Sequence, residues 1–68
     1  MDEEVFNLEL RRFLKKFGIT AQREIERAVR GALEAGTLQG GETLEVHAAL
    51  EIEGVPSDIR VEGRIALR

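Results

Sequence analysis

LKKFGITAQREIE, residues 14–26, decides how the first half of this chain is read. A basic run meets Gly18, Thr20 follows, and a second helix-forming stretch begins. Glycine is the usual residue for a left-handed helix C-cap, and threonine is a favoured N-cap. The stretch therefore predicts a turn between two helices, about 3–17 and 21–35. In the first, Phe6, Leu10, Phe13, Leu14 and Phe17 recur at helical spacing and form one apolar stripe. Asp2, Glu3 and Glu4 suit the positive end of its dipole, and Arg11, Arg12, Lys15 and Lys16 suit the negative end. In the second, Ala21, Ile25, Ala28, Val29, Ala32 and Ala35 form a small-residue face against which the phenylalanines would pack. Glu26–Arg30 and Arg30–Glu34 are spaced as i,i+4 pairs. Gly36 ends the helix.

Beyond TLQGGE (37–42) the period changes to two. Leu44, Val46, Ala48, Leu50 and Ile52 alternate with polar or small residues. Ile59, Val61, Gly63, Ile65 and Leu67 do the same. This predicts an antiparallel β-hairpin, about 43–53 and 59–67, with one wet and one dry face. A four-residue turn, GVPS (54–57), would set Glu53 opposite Asp58, Glu51 opposite Arg60 and Leu50 opposite Val61. Pro56 suits such a turn better than a strand. The expected architecture is α+β: one domain over 1–68, with two N-terminal helices packed on a C-terminal hairpin in two layers.

A chain of 68 residues with no cysteine has neither disulfides nor thiolate metal sites to support a small core. Association is the remaining device. Both hairpin edges are open, so the expected partner is a second copy, joined through the hairpin edge or the apolar face. Another protein could occupy the same surface. The acidic start MDEE does not resemble a secretory leader, and no apolar run has the length of a membrane span. The expectation is a cytoplasmic protein with no membrane partner.

Catalytic residue types are scarce. The chain has one histidine, no tyrosine and no tryptophan. His47 falls on the wet face of a strand beside Glu45, with no nucleophile near it in the pattern. A metal held by His47 and Glu45 would need further ligands. The chain is therefore expected not to be an enzyme, to hold no metal and to need no cofactor. QGGET (39–43) lacks the phosphate-loop pattern and opens a strand instead of a helix, so it reads as a connector.

Charge supplies one sharper candidate. The whole chain carries −3. Within residues 10–30, however, seven bases meet only Glu24 and Glu26, a net of +5. Arg11, Arg12, Lys15, Lys16, Arg23, Arg27 and Arg30 are the candidate anion or nucleic-acid contacts, on a segment resembling a helix–turn–helix. Against a DNA reader stand Glu24 in the slot where an apolar residue is needed, and the absence of a preceding helix. The phrase VFNLELRRFLKKFGITAQREIERAVRGAL, followed by ETL, resembles a family of small uncharacterised bacterial proteins, a domain-of-unknown-function family. That resemblance implies a free-standing bacterial protein and carries over no site residue.

Overall fold

The computed structural model describes all 68 residues. It has one helix, α1 (Glu3–Glu34), and two strands, β1 (Thr43–Ile52) and β2 (Val55–Ala66). The chain divides into two compact units, Met1–Thr37 and Leu38–Arg68.

The expected turn at Gly18–Thr20 does not form. Helix α1 runs 32 residues without interruption, about 48 Å at 1.5 Å per residue. Gly18 is not left-handed, because positive φ is confined to Gly36, Gly40 and Gly54. A glycine inside a helix costs about 1 kcal/mol relative to alanine. Ending the helix there would leave four carbonyls and four N–H groups to be satisfied elsewhere. Good helix formers lie one turn to either side, Leu14–Lys16 and Ala21–Glu24, no proline intervenes, and the single penalty is absorbed. Phe17 and Ala21 are also i,i+4, so the apolar stripe crosses the glycine without losing phase.

One continuous helix replaces the two expected ones, and their mutual packing falls with them. Phe13 and Ala28 lie fifteen residues apart on the same rod, about 22 Å along its axis. The expected layer of two helices on the hairpin is corrected accordingly. The dipole reading of Arg11, Arg12, Lys15 and Lys16 falls too, because they sit mid-helix and the last turn carries no base.

The real ends of α1 are well made. Asp2 is the N-cap, its Oδ1 accepting from the N–H groups of Glu4 at 3.0 Å and Val5 at 3.2 Å. At the other end, Gly36 has φ +79°. Its N–H donates to the Leu33 carbonyl at 3.2 Å, and the Thr37 N–H donates to that of Ala32 at 2.9 Å. This pair of bonds is the Schellman arrangement, and glycine is the residue that enters its left-handed position without strain. Thr20, expected as a cap, lies inside the helix.

In the second unit β1 and β2 pair antiparallel as an isolated two-stranded sheet. Leu44↔Ile65, Val46↔Gly63, Ala48↔Val61 and Leu50↔Ile59 face each other on the apolar side. Glu45↔Arg64, His47↔Glu62 and Ala49↔Arg60 do so on the polar side. The loop is Glu53-Gly54, with Gly54 at φ +83° and Ile52 paired to Val55. The expected four-residue turn and its pairings are thus displaced by two residues. Between Ile52↔Val55 and Leu50↔Ile59, β1 has only Glu51, whereas β2 has Pro56, Ser57 and Asp58. Proline has no N–H for the ladder, and the irregularity falls where it sits.

No residue of the chain is buried. The most shielded positions of α1 are Ala21, Ile25, Val29 and Ala32, one helical stripe. Phe6 and Phe13 are each 50% exposed, and on β2 Val61 is 60% exposed.

Candidate functional site

The seven candidate bases all project from α1. At 100° per residue, Arg12, Arg23, Arg27 and Arg30 share the face opposite the apolar stripe, and Lys16 lies between that face and the stripe's edge. Arg12 to Arg30 spans about 27 Å along the axis. Lys15 lies beside this row, and Arg11 lies farther round toward the stripe's edge. Continuity of the helix creates this row; a turn at Gly18 would have divided it.

Carboxylates of the same helix hold three of the bases. Arg12 meets Glu9 at 3.3 Å, Arg27 meets Glu24 at 3.8 Å and Arg30 meets Glu26 at 3.5 Å. All six side chains are at least 46% exposed, so each pair contributes well under about 1 kcal/mol. Glu26 also accepts from Gln22 Nε2 at 3.1 Å. Of the two expected i,i+4 pairs, Glu26–Arg30 forms and Arg30–Glu34 does not. Arg11, Lys15, Lys16 and Arg23 make no ion pair. Shallow depressions run along this side of the helix, one lined by Arg12, Lys15, Lys16, Ile19, Thr20 and Arg23. The segment has no turn, so it cannot present a recognition helix as a helix–turn–helix does; that form of the nucleic-acid reading is corrected.

On the hairpin's polar face, His47 stands opposite Glu62, and Glu45 opposite Arg64. Arg64 and Glu45 approach to 3.6 Å, both well exposed. These four residues rim a shallow depression with Val46 and Gly63. No group of three or more histidine, aspartate or glutamate side chains is placed to hold a metal ion. No cleft brings His47 to a nucleophile. Ser57 lies in the irregular part of β2, far along the strand from the His47 level.

One arrangement escaped the sequence reading. The QGG loop does collect N–H groups around an anion, and the anion is the chain's own Glu42. Its carboxylate accepts from Gln39 N at 2.8 and 3.1 Å, Gly40 N at 2.8 Å and Gly41 N at 3.1 Å. Gly40 has φ +103°, which turns successive N–H groups inward. These bonds, that from Gln39 foremost, hold the Glu42 carboxyl below its ordinary range. Paired glycines followed at once by a glutamate were the available signal. The connector is thereby ordered by its own side chain, and the cradle is filled from within.

No helix is long and apolar enough to cross a membrane. No curated protein and no solved structure matches the chain. The model of DUF6494, a family of unknown function, matches residues 1–68, and the chain belongs to that family.

Proposed function

We propose that this member of DUF6494 is a non-catalytic interaction module that works as a homodimer. The observation that carries the reading is the absence of any buried side chain alongside extensive apolar surface. Phe6, Leu10, Phe13, Leu14 and Phe17 line one face of the helix, between 37% and 50% exposed. Ile52, Val55, Ile59 and Val61 line one face of the hairpin and are likewise exposed, between 37% and 60%. Burying one such side chain fully contributes about 1.5–3 kcal/mol. In proteins most of a helix's stability comes from packing its amphipathic face, and an isolated two-stranded hairpin is marginal in water. Association supplies what each lacks, and a second copy is the partner every solution of the chain contains. The thin supply of catalytic residue types, with His47 on an open sheet face, supports a binding role over an enzymatic one.

Sedimentation equilibrium at micromolar concentration tests the reading, with a dimer expected. A strict monomer that still melts cooperatively would overturn it. A second reading, contact with phosphates, has the unpaired Arg11, Lys15, Lys16 and Arg23 in its favour. The overall charge of −3 opposes it. Its mark would be duplex binding without sequence preference that weakens steeply with salt.

A further inference from the structure

The apolar stripe of α1 has an internal symmetry. Its axial positions in the first half are Phe6, Leu10, Phe13 and Phe17, at intervals of four, three and four. In the second half they are Ala21, Ile25, Ala28 and Ala32, again at four, three and four. The interval from Phe17 to Ala21 is also four. Reversing the helix about position 19 therefore maps these eight axial positions onto themselves, whereas Leu14 and Val29 at the stripe's edge map onto Glu24 and Glu9. Size does not follow that symmetry: the first half is large and the second mostly small.

We infer that two copies pair through this stripe as antiparallel helices, in the register that opposes position 19 to position 19. This rests on the homodimer reading and adds its geometry. Phe6 then meets the partner's Ala32, and Leu10 meets the partner's Ala28. Phe13 meets the partner's Ile25, and Phe17 meets the partner's Ala21. Each level combines a large side chain with a smaller one, so the two axes can hold one separation of about 8–10 Å along the whole contact. A parallel in-register pair would stack Phe6 on Phe6 and Phe13 on Phe13 at one end, with alanine on alanine at the other. It would splay where the rings meet and leave voids where the methyls meet.

Charge agrees with the antiparallel choice. A twofold axis perpendicular to two antiparallel helices brings the same flank of each together. Lys16 and Glu24 border the stripe on one flank, and the reversal brings Lys16 within two residues of level with the partner's Glu24, about 3 Å along the axis. Lys16 has no ion pair within its own chain.

The chain has no cysteine, so a single spin label can be placed through Glu34→Cys, away from the contact. In the antiparallel register the two labels stand about 45 Å apart along the axis, because each is fifteen residues from the centre. In a parallel pair they would stand about 20–30 Å apart, the separation of two packed helices plus the outward reach of each label. A dipolar distance near 45 Å is expected. A short distance, or one far from 45 Å, in a chain that sediments as a dimer would overturn this arrangement and leave the dimer standing. A monomer at all concentrations would overturn both. As a second measurement, Lys16→Glu should raise the dimer dissociation constant about threefold or more, and adding Glu24→Lys should restore it. Failure of the second change to rescue the first would overturn the register.

Discussion

Replacing Gly18 with alanine should stabilise the protein by about 1 kcal/mol per chain. The sign follows from two features of the site. Gly18 has no positive φ, so an L side chain meets no backbone strain there. A Cβ built on it meets nothing within 4 Å, so no neighbour has to move. What remains is the helix propensity difference, roughly 0.8–1.0 kcal/mol in favour of alanine. For a chain of this size that raises the melting temperature by about 4–8 °C. Were Gly18 a left-handed cap between two helices, the same change would cost about 1–2 kcal/mol. The two structures thus predict opposite signs. Gly36→Ala is the control, since φ +79° there makes alanine strained, and it should lower stability. Thermal melts followed by far-ultraviolet circular dichroism would measure both variants at matched concentration. Repeating them over a range of concentrations separates helix propensity from any change in association. A Gly18→Ala variant that melts lower at every concentration, with reduced helicity, would refute the uninterrupted helix.

Asp2→Ala should cost about 1 kcal/mol, because the N–H groups of Glu4 and Val5 lose their acceptor; a denaturant melt unchanged within error would count against the cap. The Glu42 carboxyl should titrate below its reference value of 4.5, as followed by NMR. Its folded value is depressed, so its contribution to stability is present above that reference value and is lost as pH falls through the folded value. Glu42→Gln should abolish this acid-side dependence, and an unchanged acid limb would show that the QGG loop is not held by the carboxylate. Phe13→Ala should act mainly through association: the ring is half exposed in the chain, so dimer dissociation should respond more strongly than the stability of any monomer, as sedimentation can compare. His47→Ala should shift a denaturant midpoint by less than about 0.5 kcal/mol, as for other surface positions, and a large loss would reveal a role its exposed strand position does not suggest.

Amphipathic pattern alone settled which residues share a face. Period-two alternation from Leu44 to Ile52 and from Ile59 to Leu67 placed the hairpin, and Gly36 marked the end of the helical region where the Schellman bonds form. The stripe from Phe6 to Ala32 was also legible as a set of positions. Its phase runs unbroken from Phe17 to Ala21, a sign of continuity that Gly18 and Thr20 obscured. Their types suit a turn and are also tolerated inside a helix. Only the structure decided between these states, because a penalty of about 1 kcal/mol at one glycine is weighed against backbone bonds that local residue types do not reveal. Strand register was undetermined for a different reason. Side chains alternate with period two, so moving the pairing by two residues, from Leu50 opposite Val61 to Leu50 opposite Ile59, keeps every apolar residue on its face. The pattern is blind to that shift, and the choice fell to the backbone at Gly54 and the missing N–H of Pro56. The Glu42 cradle depends on three N–H groups converging in space, which follows from the dihedral angles of the loop and from no periodicity at all.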